Sequence, residues 1–163
     1  MLTKEELSLV KNSEILLLKN SALVSIQNCL TQLQLALDKY FIETKAYQYL
    51  MPEIATTKVS KGENYKGLPY VVLDYKANYT KSNIFAFRTL FWWGNFFSFS
   101  LHLQGTYLET FRSKLLANST NLKATDFYIC IYESPWQYDF TEYNYTKISD
   151  LDEHELRELL RSK

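Results

Sequence analysis

Apolar residues recur at helical spacing through the first third of the chain. Thr3 and Glu6 fit a capping box, in which each side chain bonds the backbone N–H of the other residue. Further along, spacings of four, three, four and four place five residues on one helix face: Ile26, Leu30, Leu33, Leu37 and Phe41. We expect an interruption or a kink at Lys19-Asn20-Ser21 and an end at Pro52, so residues 1–51 are predicted to be helical.

The pattern changes to strand spacing in the middle of the chain. Residues 52–69 contain Gly62, Gly67 and Pro69, which predict a loop. Four runs rich in Val, Ile and aromatic residues predict strands: Tyr70–Tyr75, Ile84–Trp93, Phe96–Leu103 and Phe127–Glu133. Trp136–Tyr145 is predicted to be an aromatic loop or an edge strand.

Two further helices are predicted in the second half. The first begins at a Thr106/Glu109 capping box, and the second runs over residues 150–161 after a Ser149-Asp150 cap. With a strand-rich region at 68–147, we expect one α+β domain over residues 1–163. Its antiparallel sheet has four to five strands, with the N-terminal helices and a C-terminal helix packed on it.

Gly94-Asn95 predicts a two-residue hairpin that pairs Trp93 with Phe96. Side chains alternate across strands, so this register sorts the hairpin into two faces. One face, which includes Phe97, Phe99 and Leu101, is apolar apart from Arg88, and we expect it to pack against the Ile26–Phe41 stripe as the core. In this register Arg88 lies opposite Leu101. The other face carries aromatic residues, Phe85, Phe87, Phe91, Trp93 and Phe96, beside polar ones, Ser98, Ser100, His102 and Gln104.

An aromatic sheet face of this size needs a cover, because exposed apolar patches of such extent mark interfaces, grooves or a second layer. Three covers fit the sequence: C-terminal helices, a second copy of the chain, or a small apolar or aromatic ligand. Arg88 either extends its head to water at the sheet edge or pairs with Asp74 or Glu133. The candidate ligand-binding residues are Arg88, His102, Ser100, Trp93, Asp74 and Glu133.

Composition and charge exclude several classes of function. Eighteen basic and 18 acidic residues balance in 163, whereas nucleic-acid binders carry a basic excess. Cys29 and Cys130 are 101 positions apart with no Cys/His cluster, so we expect two reduced cysteines and no metal. The chain lacks a P-loop and a Gly-x-Ser-x-Gly elbow, and we expect no cofactor and no identifiable catalytic residue.

Targeting signals are also not evident. The N-terminus is acidic, and the densest apolar stretch, Ile84–Trp93, is far shorter than the ~20 residues of a membrane helix. We therefore expect a cytoplasmic protein that does not enter a membrane.

Three segments carry a family resemblance: Lys61–Tyr65 with Leu68–Tyr75, Phe85–Thr89, and Phe91–Phe97. Together they resemble a small uncharacterised bacterial family of the Bacteroidetes type over about a quarter of the chain. The resemblance implies a cytoplasmic bacterial protein and transfers no catalytic residues.

The function expected from these features is that of a non-enzymatic interaction module, most simply a homodimer formed through its helices or its aromatic sheet face. A binder of a small apolar or aromatic ligand is the alternative, and an enzyme of unidentified class is the third.

Overall fold

A computed structural model describes residues 1–45, 52–53 and 55–162 of the chain. The described α-helices are α1 (Lys4–Lys11), α2 (Ser13–Thr44), α3 (Thr106–Ala117), α4 (Ser119–Lys123) and α5 (Glu153–Ser162). The strands are β1 (Thr56–Tyr65), β2 (Leu68–Tyr79), β3 (Ile84–Trp92), β4 (Phe97–Gln104), β5 (Tyr128–Cys130) and β6 (Tyr145–Lys147). The helical prediction for residues 46–51 lies outside the described residues.

The α+β prediction is confirmed. Strands β1 to β4 form an antiparallel sheet in the order β1-β2-β3-β4, and β5 and β6 form a separate antiparallel pair. In that pair, Tyr128 lies opposite Lys147 and Cys130 opposite Tyr145. The strand predicted at 127–133 is therefore shorter than expected and pairs outside the main sheet.

The loop predicted for residues 52–69 is wrong over most of its length, because β1 occupies Thr56–Tyr65. All side chains of this strand are exposed or half-buried. Its sequence therefore does not need, and does not show, the alternation of apolar and polar residues by which a strand is predicted. Lys66 and Gly67 connect it to β2 with φ values of 51° and 83°. Two consecutive positive φ values characterise the type I′ turn of a two-residue hairpin.

Two of the predicted helix boundaries also need correction. The break between α1 and α2 lies at Asn12, not at Lys19-Asn20-Ser21, because the Asn12 side chain accepts from the amides of Glu14 and Ile15. Helix α3 begins after Gly105 with no side-chain cap, so the Thr106/Glu109 box is absent. The Thr3/Glu6 box is confirmed, with hydrogen bonds of 2.7 and 3.1 Å.

The last helix is capped later than predicted. Ser149 and Asp150 belong to a 3₁₀ turn, Ile148–Asp150, rather than to the helix cap. Asp152 takes the capping role instead: its carboxylate accepts from the Glu155 amide at 2.8 Å, and its own amide donates to the Glu155 carboxylate at 2.7 Å. The amide donor lowers the pKa of Asp152.

The chain forms two compact units. The first comprises residues 1–51, 57–75 and 89–97, and the second comprises 52–56, 76–88 and 98–163.

In the first unit, α2 packs on strand β2. Leu30 and Phe41 of the predicted stripe are buried together with Leu23, and Ile26, Leu33 and Leu37 are half-buried. The Phe41 ring stacks on Tyr75 at 5.8 Å between centroids. Alternation then puts Val71 and Leu73, both fully buried, on the same sheet face as Tyr75.

This arrangement corrects the predicted position of the core. The Trp93 amide donates to the Pro69 carbonyl at 3.1 Å, which places these two residues opposite each other. Thr89, Phe91 and Trp93 therefore share the face of Tyr75. Helix α2 packs on this aromatic side of β3 and not, as predicted, on the side of Leu90 and Trp92.

In the second unit, α3 packs on Phe85. The Phe85 ring is fully buried and lies 5.6 Å from Tyr107 and 5.8 Å from Phe111, both on α3. A second apolar cluster joins α5 to the chain before it and consists of Ile148, Leu156 and Leu160, with Leu115, Leu116, Leu122, Ile129 and Leu151 around it. Helix α3 thus covers the aromatic sheet face at Phe85.

The β3–β4 register differs by one residue from the prediction. The Trp92 amide donates to the Phe96 carbonyl at 3.0 Å, so Trp92 and not Trp93 lies opposite Phe96. The cause is the turn. Gly94 has a φ of 71° and is the third residue of a type II turn closed by an Asn95-to-Trp92 hydrogen bond, which lengthens the connection.

The shifted register reverses which side of β4 is buried. Ser98 and His102 are buried, whereas Phe97, Phe99 and Leu101, predicted for the core, are exposed at the sheet edge. Arg88 lies beside Ser100, not beside Leu101, and the Ser100 hydroxyl donates to the Arg88 carbonyl at 3.4 Å.

Candidate functional site

Three aromatic rings surround the guanidinium of Arg88. Its Cζ lies 5.6 Å from the ring centroid of Tyr79, 5.2 Å from that of Trp136 and 5.3 Å from that of Tyr138. These distances fall within the ~6 Å range of cation–π attraction. Arg88 sits on β3, Tyr79 ends β2, and the other two rings lie in the loop between β5 and β6. We call these four residues with His102 the Arg88 cluster.

Hydrogen bonds add to the ring contacts of Arg88. Its Nη2 donates to the Tyr79 hydroxyl at 3.0 Å, and its Nη1 donates to the Tyr138 hydroxyl. A planar guanidinium can present its face to a ring while its edge N–H groups reach phenol oxygens. The Arg88 cluster therefore ties the β5–β6 loop to the sheet through a single cation.

His102 joins the cluster through Trp136. The imidazole meets the Trp136 ring edge-on at 4.8 Å between centroids, and His102 is buried, with 7% of its surface exposed. Ser100, two residues away on β4, is exposed and donates to the Arg88 backbone. Three predicted site residues, Arg88, His102 and Ser100, therefore lie together in the second unit.

The other three predicted residues are half-buried or exposed. Asp74 is half-buried on β2, and Trp93 is half-buried beside Phe91, 5.5 Å away between ring centroids. Both belong to the first compact unit. Glu133 is exposed in the loop that follows β5.

The aromatic partners of Arg88 were not predicted from the sequence. The expected surroundings were water at the sheet edge or a carboxylate, because a buried cation normally requires an anion. The sequence does contain these aromatic partners, Trp136, Tyr138 and Tyr79, but the path of the β5–β6 loop decides whether Trp136 and Tyr138 lie near Arg88. The aromatic residues offset part of the cost of removing water from the Arg88 guanidinium, because ring faces and phenol oxygens are both electron-rich.

A second unpredicted feature is the surface of the two N-terminal helices. Of the described residues there, eleven large apolar side chains are exposed: Leu7, Leu9 and Val10 on α1, and Ile15, Leu16, Leu17, Leu18, Val24, Leu35, Tyr40 and Ile42 on α2. We call this set the outer helical surface. The signal in the sequence was the excess of apolar residues over the single stripe, together with the run Ile15–Leu18.

The described residues hold no cluster of potential metal ligands. They contain no group of three or more His, Cys, Asp or Glu side chains that could hold a metal ion. A shallow, open depression lies at the junction of α1 and α2, lined by Lys4, Glu5, Ser8, Leu9, Asn12 and Ile15. It is formed by none of the predicted site residues.

None of the helices in the described part of the chain combines the length and the apolar character that a membrane span requires. Comparison with protein-family models, curated proteins and solved structures finds no match for the chain.

Proposed function

We propose that the protein is a non-enzymatic interaction module that associates with a second copy of itself through the outer helical surface. The observation that carries this proposal is the exposure of eleven large apolar side chains on two consecutive helices. Monomeric soluble proteins rarely expose continuous apolar patches above a few hundred Å². Full burial of one such side chain stabilises a complex by roughly 1.5–3 kcal/mol, so a surface of this kind favours association.

The charge distribution on α2 supports the same proposal. Between Ile15 and Leu37 the helix carries a single charged residue, Lys19. The Lys19 ammonium contacts the Glu63 carboxylate of β1 at 2.9 Å, so it is directed towards the sheet. The outward sides of this stretch are therefore free of charge. Depletion of charge characterises the core of an interface rather than a solvated helix surface.

Light scattering over a concentration series tests the proposal. The expected result is a mass that rises with concentration from one chain towards two. The matched variant Leu18→Glu adds a charge at the most exposed leucine of α2, 72% exposed, where folding itself is barely affected. We expect this variant to shift the equilibrium towards the monomer. A concentration-independent monomeric mass for the unmodified chain contradicts self-association.

A second candidate function, the binding of a small apolar or aromatic ligand, is favoured by the side chains near the β3–β4 turn. Phe91 lies 4.7 Å from Phe97 and 5.5 Å from Trp93 between ring centroids, and Phe97 is exposed. Among the described residues, the buried Trp93 indole N–H has no acceptor. A ligand with one apolar ring and one acceptor atom fits both features.

Fluorescence titration distinguishes this candidate from self-association. Ligands of this chemistry are expected to change the emission of the native protein, and Trp93→Phe is expected to abolish the change. A response that persists in Trp93→Phe assigns the binding to another tryptophan and rejects this site. Neither result bears on the proposal of self-association, because the outer helical surface contains none of these residues.

We also propose a cytoplasmic location. Cys29 and Cys130 are free thiols, and Cys29 is exposed. Exposed thiols persist in the reducing cytoplasm and tend to oxidise elsewhere. Fractionation of cells that produce the protein, with thiol labelling of each fraction, tests this location.

A further inference from the structure

Four residues of the outer helical surface form a straight row along α2. Leu17, Val24, Leu35 and Ile42 follow one another at spacings of 7, 11 and 7 residues. At about 100° per residue, each spacing returns to within about 20° of the same direction around the helix. All four side chains are exposed, by 55 to 68%. The buried residues Leu23, Leu30 and Phe41 point about 120° away from this row. We call the four residues the outer row.

The spacing of the outer row reads the same in both directions, with its midpoint between residues 29 and 30. A two-fold axis through that midpoint places Leu17 against Ile42 of a second copy and Val24 against its Leu35. A self-complementary patch is what a two-fold interface requires. We propose that two copies of the chain pair α2 with α2 in antiparallel orientation, in contact along the outer row. This inference rests on the proposed function and adds its geometry.

The centre of the row carries polar residues that suit this register. Asn28 and Thr31 fill the gap between Val24 and Leu35, and their residue numbers place them opposite each other across the same two-fold axis. The Thr31 hydroxyl donates to the Gln27 carbonyl at 2.9 Å, and its oxygen retains the capacity to accept from an Asn28 amide. A polar pair inside an apolar helix interface fixes the register of the two helices.

The absence of charge favours a second copy as the occupant, and the size of the strip indicates how stable the dimer is. The outer row has no charged neighbour between Ser21 and Leu37, so its partner must also be uncharged to avoid a desolvated charge. An identical α2 meets this condition, and antiparallel packing also opposes the two helix dipoles. From Leu17 to Ile42 the strip is about 38 Å long and about 10 Å wide, or roughly 380 Å² per copy. Since standard interfaces bury about 800 Å² per partner, the dimer is expected to be reversible.

Disulfide cross-linking tests the orientation. In a background with both native cysteines replaced by Ser, Leu17→Cys and Ile42→Cys are made singly and together. Antiparallel pairing predicts that the double variant forms a covalent dimer on oxidation and that neither single variant does. Mixing the two single variants is expected to restore the cross-link. The control, Leu17→Cys with Tyr40→Cys, carries its second thiol away from the row and is expected to cross-link at least tenfold less.

The outcomes separate this inference from the proposed function. If each single variant forms a covalent dimer by itself, the helices are parallel, and the orientation is wrong while self-association stands. If scattering shows a dimer but the double variant does not cross-link, another surface mediates the contact and the inference fails. A monomeric mass at all concentrations removes both proposals.

Discussion

The Tyr75 hydroxyl of β2 donates a hydrogen bond to the Asp38 carboxylate of α2 at 2.9 Å. The Tyr75 ring also stacks on Phe41, three residues further along the helix. These two contacts fix the rotation of α2 about its axis at its C-terminal half. Because Asp38 and Phe41 face β2, Leu35 and Ile42 are turned outward. The same contacts that hold the helix on the sheet therefore set the direction of the outer row.

Tyr75→Phe is expected to destabilise the fold by roughly 1–2 kcal/mol, because it removes the hydroxyl and leaves Asp38 without that donor. Urea unfolding monitored by circular dichroism measures the change. Tyr143→Phe is the matched control, since Tyr143 is 77% exposed and is expected to change stability by less than about 0.5 kcal/mol. Equal stability of Tyr75→Phe and the unmodified chain contradicts a structural role for the bond.

The environment of the Tyr75 hydroxyl also predicts that the protein loses stability at alkaline pH. Burial of the phenol raises its pKa, and the hydrogen bond to Asp38 raises it further. The pKa in the folded state is thus above the value of about 10 in the unfolded chain. Below pH ~10 both states keep the proton and the full stability is present. Above it, the unfolded chain releases the proton first, so stability falls as the pH rises.

The difference between the unmodified chain and Tyr75→Phe isolates this effect from the other tyrosines. Urea midpoints are compared at intervals from pH 8 to pH 11.5. We expect the stability advantage of the unmodified chain to shrink above pH ~10, by at most about 1.4 kcal/mol per pH unit. An advantage that stays constant over this range shows that the pKa of Tyr75 is the same in both states.

Arg88→Lys is expected to destabilise the second unit by roughly 1–3 kcal/mol although it conserves the charge. Lysine cannot place a planar cation among Tyr79, Trp136 and Tyr138 while donating to two hydroxyls. Urea unfolding followed by tryptophan fluorescence detects the change. In the control Arg157→Lys, the arginine is exposed on α5 beside Glu153, and we expect a change below about 0.5 kcal/mol. Equal effects of the two substitutions contradict a special role of the guanidinium.

Gly105→Ala is expected to destabilise the fold strongly. Gly105 has a φ of 63°, and an added Cβ lies 2.2 Å from the Ser82 carbonyl oxygen and 2.4 Å from the Asn83 Oδ1. Asn83 in turn accepts from the amide and hydroxyl of Thr106, which holds the start of α3. Backbone strain and the clash together predict a loss above roughly 2 kcal/mol.

Gly67→Ala provides the comparison for Gly105→Ala. Gly67 has a φ of 83°, but no atom lies within 4 Å of an added Cβ, so only the backbone strain of roughly 1–2 kcal/mol applies. Thermal unfolding ranks the two variants. A smaller loss for Gly105→Ala than for Gly67→Ala is incompatible with the close approach at Ser82.

The sequence predicted the elements that bury strongly apolar residues. The α2 stripe with Leu30 and Phe41 and the apolar strand β2 followed directly from periodicity. β1 was missed because an edge strand with two polar faces shows no alternation. The hairpin register was missed by one residue because Gly94 stabilises a type II turn as readily as a two-residue one, and only the packed sheet decides between them.

The candidate site was predictable in part. Arg88 was recognised as an isolated cation in an apolar strand, but its surroundings depend on the path of the β5–β6 loop, which periodicity does not describe. The outer helical surface was not recognised, since which apolar residues of a helix remain exposed is decided by the tertiary packing of Phe41 and Tyr75. The exposed apolar residues of α1 and α2 were therefore identified from the structure and not from the hydrophobic pattern of the sequence.

Sedimentation equilibrium of two charge-matched variants tests whether two copies of the chain associate through the outer row of α2. Val24→Glu with Leu35→Glu adds two charges to the outer row, and Phe99→Glu with Leu101→Glu adds two to the other exposed apolar strip, on β4. Circular dichroism first verifies that both are folded. We expect a reversible dimer for the unmodified chain and the β4 variant, and a dissociation constant raised at least roughly 100-fold for the α2 variant. A monomeric unmodified chain, or a dimer that only the β4 variant disrupts, contradicts it.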